Sequence, residues 1–250
     1  MDASRATSLR RHAGASCRHA LDWLFPASCA LCAAPGPALC RPCRDEAVGG
    51  VATGCRRCAV PLHAGADGRL CGRCLRRPPR FDGTVAAALY APPFDQLVRS
   101  LKYGAALSHA PLFAAMIAER FVAMQGSIGE LPHVLLPVPL SRQRMASRGF
   151  NQSIEIARLL SRRSGIAVDT SSVLRVHDTA PQAALPLAAR RRNVRGAFAV
   201  IDARVPALRG RVVGVVDDVM TTGATLDELA RVLKAAGAKA VVNLVVARTP

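Results

Sequence analysis

The apolar and polar positions of the C-terminal segment predict strands that alternate with a helix. Residues 212–216 are an unbroken apolar run, and the sequence predicts a strand over residues 211–216, buried on both faces as in parallel sheets. Apolar residues at helical spacing predict a helix over residues 226–236, with Gly237 as its stop signal. A second apolar run predicts another buried strand over residues 239–247.

The middle of the chain shows the same alternation. Apolar residues at helical spacing predict one helix from Ser108 to about residue 125 and another from Asn151 to Ser164, ending before Gly165. Strands are also predicted at residues 84–90, 133–137 and, weakly, 173–176, and a helix at residues 94–103. Strands that alternate with helices of this length indicate a parallel α/β sheet.

Two adjacent carboxylates, Asp217 and Asp218, directly follow the apolar run. Thr225 and Glu228 have the spacing of a capping box at the start of the next helix. Amides at a helix N-terminus bind phosphate, and carboxylates accept hydrogen bonds from ribose hydroxyls, so the segment predicts a ribose 5-phosphate site. The alternative is an ordinary strand–turn–helix with solvated acids. The loop between the acids and the helix consists of Thr221, Thr222, Gly223, Ala224 and Thr225.

Eight of the nine cysteines form four Cys-x-x-Cys knuckles. Two knuckles supply the four thiolates of a structural zinc site, and four knuckles exceed what a redox dithiol needs. One or two zinc ions are therefore predicted, and metal binding should supply most of the folding free energy of this segment. Pairing in sequence order and an interleaved pairing both remain open, and Cys17 is predicted to be a free thiol. The knuckles are Cys29 and Cys32, Cys40 and Cys43, Cys55 and Cys58, and Cys71 and Cys74.

Changes in composition predict three parts of the chain. Residues 1–26 form a lead-in whose apolar side chains are expected to pack against the cysteine module. The cysteine module covers residues 27–76, and the α/β domain covers residues 81–250. Paired prolines at residues 78 and 79 mark the boundary between these two parts.

The composition favours a globular protein without a membrane span. Half of the 250 residues are hydrophobic and 20% are charged, and no apolar run approaches the ~18 residues that cross a bilayer. No apolar signal-peptide segment lies before Cys17. A cytoplasmic protein is therefore expected, in which disulfides would not form.

Arginine supplies nearly all of the net charge of +17, because lysine occurs only at positions 102, 234 and 239. The guanidinium group binds phosphate oxygens bidentately, so a phosphorylated ligand or a nucleic acid is an expected partner. Because the charge is spread along the chain, a solvated arginine-rich surface is the alternative.

Two further stretches carry arginines beside predicted elements. Arg142, Arg144 and Arg148 precede the helix that starts near Asn151, where cations suit a second anion such as pyrophosphate. Residues 182–198 have little periodicity, which suits a mobile lid over a phosphorylated ligand. The alternatives are a solvated basic loop for the first stretch and a disordered basic segment for the second. The second stretch contains Arg190, Arg191, Arg192, Asn193 and Arg195.

The segment from residue 212 to Thr225 resembles the binding motif for phosphoribosyl pyrophosphate (PRPP) in type I phosphoribosyltransferases. With the other motifs, the chain is similar in order and spacing to the ComF family over residues 27–248. These motifs are the four cysteine knuckles, residues 101–104 (Leu-Lys-Tyr-Gly), 137–140 (Pro-Val-Pro-Leu) and 148–152 (Arg-Gly-Phe-Asn-Gln), Gln182 with Arg191 and Asn193 before Ala197 and Phe198, and the acids with their loop.

The resemblance implies a double zinc ribbon followed by a phosphoribosyltransferase-like domain, in a family associated with natural transformation. Transferred by position, Asp217 and Asp218 are the catalytic acids that bind the ribose hydroxyls, and residues 221–225 hold the 5-phosphate. Pro139 departs from the pattern of a pyrophosphate loop because it has no amide to donate. The pyrophosphate loop comprises Pro139, Leu140, Ser141, Arg142 and Arg148, and the mobile loop comprises Arg191, Arg192 and Asn193.

Three functions follow from this combination. The first is a ComF-like protein that binds PRPP or a related ribose phosphate and single-stranded DNA during DNA uptake, with other uptake or recombination proteins as partners. The second is an active phosphoribosyltransferase of nucleotide metabolism or salvage, in which Mg²⁺ binds PRPP. The third is a gene regulator that senses PRPP. No residue in the chain nominates an acceptor base.

Overall fold

The computed structural model describes residues 28–63, 69–101, 107–124, 126, 129–177 and 187–250, except the side chains at 187, 188, 190 and 191. The predicted lead-in at residues 1–26, including Cys17, lies outside the described residues. So do residues 102–104 and Gln182 of the family motifs, and the side chains of Arg190 and Arg191. Clustering of contacts divides the chain into two compact units, one ending at Asp45 and one from Glu46 to Pro250.

Four parallel strands form the sheet of the second unit, in the order β1-β6-β5-β2. Within the described residues, a separate pair of antiparallel strands, β3 and β4, forms a second small sheet. The prediction of a parallel α/β fold is confirmed, but the weak strand predicted at residues 173–176 belongs to the antiparallel pair. The strands are β1 (Gly83–Leu89), β2 (Val134–Pro137), β3 (Val173–Arg175), β4 (Phe198–Val200), β5 (Val212–Met220) and β6 (Ala240–Arg248).

Strand β5 occupies an inner position of the sheet, between β2 and β6. Its register sets Val216 opposite Pro137 of β2 and Leu244 of β6. Every residue from Val212 to Val216 is buried, as the unbroken apolar run predicts. The strand continues to Met220, so the two acids are part of β5 and do not follow it. Pairing with β6 as far as Arg248 extends the strand past the apolar run.

Helices cover the sheet of the second unit. Helices α4 and α6 pack against each other, and they also contact β1 and β5 respectively. Helix α9 packs against β6, β4 and α7. The helices are α1 (Arg41–Ala52), α2 (Gly72–Arg76), α3 (Phe94–Ser100), α4 (Ala110–Ala123), α5 (Arg142–Arg148), α6 (Gln152–Ser164), α7 (Leu187–Val194), α8 (Val205–Leu208) and α9 (Ala224–Ala235), with 3₁₀ turns at Leu107–His109 and Asp202–Arg204.

Helix ends match the sequence signals at some positions and differ at others. Asn151 caps α6 by accepting a hydrogen bond from the Ser153 amide at 2.9 Å, and Gly165 ends it in the left-handed conformation, as predicted. Helix α4 begins after His109 without a side-chain cap, so the cap predicted at Ser108 is wrong. No helix in the described ranges combines the length and apolar character needed to cross a membrane.

The second pair of cysteine knuckles belongs to the hydrophobic core of the second unit. Cys55, Cys58 and Cys74 are buried in the same cluster as Val215 of β5 and Leu229 of α9. This knuckle pair therefore packs as part of the α/β unit, although the sequence places it in the cysteine-rich module.

Candidate functional site

The eight described cysteines form two groups of four sulfur atoms, each of a size that suits tetrahedral coordination of one metal ion. In each group all four sulfurs lie within 4.8 Å of one another. A zinc ion with Zn–S bonds of about 2.3 Å separates its sulfurs by about 3.8 Å, and Sγ–Sγ distances of 3.6 Å (Cys32 to Cys40) and 3.7 Å (Cys58 to Cys71) fit this spacing. The groups pair the knuckles in sequence order, so the interleaved arrangement does not occur. Their members are Cys29, Cys32, Cys40 and Cys43, and Cys55, Cys58, Cys71 and Cys74.

Backbone amides point at the sulfur atoms of both groups. The Cys40 amide donates to Cys29 Sγ at 3.4 Å in the first group, and the Cys71 amide donates to Cys55 Sγ at 3.3 Å in the second. Such donors stabilise thiolates, which are the form that binds a metal. The residues present therefore fit two closed structural zinc sites.

Proton sharing within the second group shows why a cation suits it. A hydrogen bond with Cys58, together with the amides of Cys71 and Arg57, lowers the pKa of Cys55 to about 4. The same hydrogen bond raises the pKa of Cys58, and burial raises the pKa of Cys74 to about 12. Cys55 thus ionises more readily than Cys58 and Cys74. A zinc ion would displace the protons that Cys58 and Cys74 keep, so metal affinity should rise with pH.

The two predicted acids lie side by side near the end of β5, against the first turn of α6. The Ser153 hydroxyl donates to Asp217 Oδ1 at 3.2 Å, and the Gln152 side-chain amide donates to Asp218 Oδ2 at 3.2 Å. Asp218 is only 6% exposed, whereas Asp217 is partly exposed. The N-terminus of α6 favours negative charge at this position.

The predicted phosphate loop forms a tight turn between β5 and α9. Gly223 is the N-cap residue of α9 and has a φ of 76°, a left-handed conformation that suits glycine. A Cβ atom on Gly223 would lie 2.6 Å from the terminal methyl of Met220, so the turn has no room for a side chain at this position. Thr222 Oγ1 accepts a hydrogen bond from the Ala224 amide at 3.3 Å.

The capping box predicted from Thr225 and Glu228 is wrong. Helix α9 starts at Ala224, one residue before Thr225, and Gly223 gives it no side-chain cap. Glu228 is in the helix and accepts instead from the Gly196 amide at 2.8 Å and from Arg231 at 2.7 Å. With no side chain to contribute at Gly223, the Thr222 hydroxyl takes the Ala224 amide of the first turn instead.

The predicted pyrophosphate loop leads directly into α5, which the sequence did not predict. Pro139 and Leu140 are partly exposed, and buried Ser141 caps α5 by accepting from the Arg144 amide at 3.4 Å. Because a serine cap precedes residues with high helix propensity, the basic stretch forms a helix in place of a loop. Arg142 begins this helix and is exposed.

Arg148 connects the end of α5 to the acids. Its guanidinium group donates to Gln152 Oε1 at 3.4 Å, and the amide of the same Gln152 side chain donates to Asp218. Because Arg148 takes the oxygen of the Gln152 side chain, the nitrogen of that side chain faces the Asp218 carboxylate. Sequence analysis missed Gln152 and Ser153 as partners of the acids, although the motif at residues 148–152 includes Gln152.

A cavity of about 570 Å³ opens beside the pyrophosphate loop. Pro139, Leu140 and Arg142 line one side, and Leu174 and Arg175 of the β3 segment line another. Asn151, the cap of α6, also lines it, which places the cavity next to the helix turn that holds the acids. Among its described lining residues, the cavity includes neither the acids nor residues 221–225.

The predicted mobile loop is helical in its described part. Arg192 and Asn193 lie in α7 (Leu187–Val194), so the prediction of a loop is wrong for these residues. Alanine and arginine have high helix propensity, which compensates for the weak apolar periodicity. The side chain of Arg191 lies outside the described residues. Arg192 is exposed and Asn193 is partly exposed.

Comparisons with known proteins match both parts of the chain. The double zinc ribbon domain family matches residues 20–75, and the phosphoribosyl transferase domain family matches residues 152–250. The DNA utilization protein YhgH of Escherichia coli (strain K12) is 37% identical over 194 residues, which cover 75% of this chain and 80% of that protein. Competence protein F of Haemophilus influenzae is 31% identical over 217 residues, covering 79% of this chain and 91% of that protein.

Proposed function

This chain belongs to the ComF family, and on that premise we propose that its α/β domain binds PRPP or a related ribose phosphate in the service of DNA uptake. The observation that carries the proposal is the position of Asp217 and Asp218, in the last four residues of the inner parallel strand β5 and just before the Gly223 loop. Open α/β sheets bind ligands at this edge.

The two acids supply acceptors for a ribose. Partly exposed Asp217 accepts the 2- and 3-hydroxyls most directly, and buried Asp218 shapes the floor of the site. The Ser153 and Gln152 side chains donate to Asp217 Oδ1 and Asp218 Oδ2, and the amides of Asp218 and Val219 donate to Asp217 Oδ1 and Asp218 Oδ1. These side-chain bonds hold the acids in one orientation before the ligand arrives.

The loop supplies donors for the 5-phosphate. Thr221, Thr222 and Thr225 are partly exposed, so their hydroxyls and amides are within reach of a ligand. The turn at Gly223 and the N-terminus of the 12-residue helix α9 direct backbone N–H groups toward the same anion. Only Val219 and Met220 separate the acids from the loop in the chain, so we expect one ribose phosphate to contact both.

The diphosphate of PRPP would lie at the pyrophosphate loop. Leu140 and Ser141 can offer amides, and Arg142 offers a guanidinium group beside them. Pro139 offers no amide. Mg²⁺ bound to PRPP neutralises diphosphate charge and takes few protein ligands. The carboxylate oxygens of Asp217 and Asp218 are suitable ligands for it.

The role in DNA uptake is drawn from the relatives and from charge. One relative is named a DNA utilization protein and another a competence protein. An arginine-rich surface with a net charge of +17 suits single-stranded DNA, which it would bind by neutralising phosphates. We place this activity in the cytoplasm, where reduced cysteines can hold zinc. A gel-shift titration should show binding at low salt that weakens steeply as salt is added, and no retention at low salt would contradict it.

A second function, phosphoribosyl transfer to an acceptor, is favoured by the cavity beside the pyrophosphate loop. Its volume of about 570 Å³ lies in the range of small-molecule sites, and apolar side chains such as Leu140 and Leu174 line it. A nucleobase held there would lie beside the pyrophosphate loop, whose residues Pro139, Leu140 and Arg142 line the cavity. A screen of nucleobases and amines for PRPP-dependent pyrophosphate release decides between binding alone and turnover.

Calorimetry of PRPP with Mg²⁺ tests the binding proposal. The double substitution Asp217→Asn and Asp218→Asn should abolish binding, because amides cannot replace carboxylates toward hydroxyls and Mg²⁺. Asp202→Asn, in an exposed 3₁₀ turn, is the matched control and should bind as the wild type does. Unchanged affinity in the double variant would refute the assignment of the pocket.

A further inference from the structure

The second cysteine group lies against the predicted phosphate loop. Its knuckle at Cys71 and Cys74 is part of helix α2, which starts where Cys71 Sγ accepts the Cys74 amide at 3.4 Å. Arg73 stands between these two cysteines, so the sulfur group fixes the position of its backbone. The guanidinium group of Arg73 donates a hydrogen bond to the carbonyl oxygen of Thr222, in the middle of the loop.

This contact fixes the direction of one loop amide. A trans peptide is planar, with its C=O and N–H groups pointing in opposite directions. Because Arg73 holds the Thr222 carbonyl, the N–H of Gly223 is turned away from Arg73. Gly223 is the N-cap residue of α9, so this N–H belongs to the start of that helix. Arg73 therefore contacts the loop on the side opposite to the Gly223 N–H.

The other knuckle holds the residue where the loop begins. Buried Arg248 donates from Nε to the Cys58 carbonyl at 2.8 Å and from its Nη1 nitrogen to the Met220 carbonyl at 3.3 Å. The Thr84 hydroxyl of β1 donates to the Arg57 carbonyl at 2.7 Å, which fastens the same knuckle to the sheet. The knuckle at Cys55 and Cys58 is thus connected to Met220 through Arg248, and the knuckle at Cys71 and Cys74 is connected to Thr222 through Arg73.

We infer that the second cysteine group positions the phosphate loop, and that Arg73 is the positioning residue through which it acts. The four sulfurs bring the two knuckles together. A metal ion bound there would fix the distance between the two contacts with the loop, at the Met220 carbonyl and at the Thr222 carbonyl. The inference rests on the proposed function, since it gives the metal site a task in binding the ribose phosphate.

Arg76 supplies a matched control for Arg73. Both arginines are exposed residues of α2, so changing either to alanine removes one charge from the same short helix. Arg73 donates a hydrogen bond to the loop, whereas the guanidinium group of Arg76 lies near Gly72. A loss of general electrostatic attraction would affect both variants equally, and a loss of positioning would affect only Arg73→Ala.

The experiment compares the zinc-loaded full chain as wild type, Arg73→Ala, Arg73→Lys and Arg76→Ala. Compared with the wild type and Arg76→Ala, amide hydrogen exchange without ligand should be faster at residues 221–225 in Arg73→Ala. Calorimetry should show PRPP affinity about tenfold weaker in that variant, the loss expected for one charged hydrogen bond. Arg73→Lys keeps a donor and should recover part of both effects, and zinc content should stay that of the wild type throughout.

Two results would overturn the inference, and a third would overturn the proposed function on which it rests. If Arg73→Ala and Arg76→Ala show the same loop exchange and the same PRPP affinity, Arg73 acts only through its surface charge. Weaker affinity with unchanged loop exchange would make Arg73 a direct ligand of the phosphate and not a positioning residue. A wild type that binds no PRPP would overturn the proposed function itself, and the exchange data would then show separately whether Arg73 orders the loop.

Discussion

Gln152 joins two groups that the sequence presents far apart. Its side-chain carbonyl accepts from Arg148, and its amide donates to Asp218, which is 66 positions away. Because Gln152 and Asp218 are both buried, neither side chain can exchange this bond for water at low cost. The glutamine therefore determines the orientation of the buried acid.

Gln152→Ala should weaken PRPP binding and destabilise the fold. The change leaves a buried carboxylate oxygen without its donor, at about 1–3 kcal/mol in the free energy of unfolding. PRPP affinity should fall by roughly tenfold, the equivalent of about 1.4 kcal/mol. Calorimetry and urea unfolding measure the two effects. Gln96→Ala, at an exposed position of α3, is the control, and equal losses in both variants would contradict the role of Gln152.

Gly223 and Gly165 separate two effects of a glycine. Both have a φ near 75°, but only Gly223 has close neighbours, with Met220 at 2.6 Å and Phe81 at 3.6 Å from a Cβ atom. Gly165→Ala and Gly223→Ala should each destabilise the protein by about 1–2 kcal/mol, the penalty for a left-handed non-glycine residue. Only Gly223→Ala should also weaken PRPP binding, because the methyl group of buried Met220 must move. Equal PRPP affinities would contradict the proposed loop.

The sequence predicted the acids and the loop because those residues are contiguous and their chemistry is local. It did not predict Gln152 or Ser153 as their partners, since α6 meets β5 only through the order of strands in the sheet. Nor does the sequence indicate that the side chain of Arg73, inside a cysteine knuckle, bonds to Thr222. Such contacts depend on topology, which a single sequence does not specify.

Among the elements, α9 shows how a local signal can yield to tertiary contacts. The spacing of Thr225 and Glu228 suits a capping box, but Glu228 is buried against Arg231 and the amide of Gly196. This pairing attaches α9 to the residue that precedes β4. A helix start is therefore less predictable than the helix itself, and β5 was also predicted too short at its carboxyl end.

Glu228→Gln should destabilise the protein at neutral pH by about 1 kcal/mol, because it removes a hydrogen-bonded ion pair. Burial raises the pKa of Glu228, but the bonds from Arg231 and the Gly196 amide outweigh it and lower the pKa below its usual 4.5. A lowered folded-state pKa gives stability that is present above pH 4.5 and is lost as pH falls through the folded-state value.

The difference between wild type and Glu228→Gln in the free energy of unfolding should therefore shrink as the pH is lowered below about 4.5. Urea unfolding over a pH series measures it. Glu155→Gln removes a more exposed pair with Arg158 and should change stability little at any pH. A difference that is constant across the series would contradict the assigned cause.

At the scale of the whole molecule, the two cysteine groups differ in burial. Cys55, Cys58 and Cys74 are 1–2% exposed within the core of the second unit, whereas Cys32 of the first group is exposed. Both groups fit zinc, and four knuckles in two groups give an expected content of two zinc ions per chain.

A chelator should release these two ions in two phases. The fast phase should come from the first group, because its exposed Cys32 gives a chelator access. The slow phase should come from the buried group and should accompany loss of the folded α/β unit. Absorbance of a zinc-binding dye follows the release. Cys32→Ser should remove the fast phase alone, and loss of the slow phase in that variant would contradict the assignment.

The α/β class, the parallel sheet and the four cysteine knuckles could be predicted from the sequence, because period and spacing encode them directly. The pairing of the knuckles could not, and the structure shows that it follows sequence order. The packing of the second knuckle pair into the α/β unit could not, since the chain reads as a separate cysteine-rich module up to residue 76. Residues 55–58 and 71–74 are close to the loop at 221–223 only after β1, β5 and β6 have paired.

The most direct test of the central claim is a crystal structure of the full chain with PRPP and Mg²⁺. The account predicts the 5-phosphate on the amides and hydroxyls of residues 221–225, and the ribose 2- or 3-hydroxyl within about 3 Å of Asp217. PRPP bound at another surface, away from Asp217 and Asp218, would contradict it.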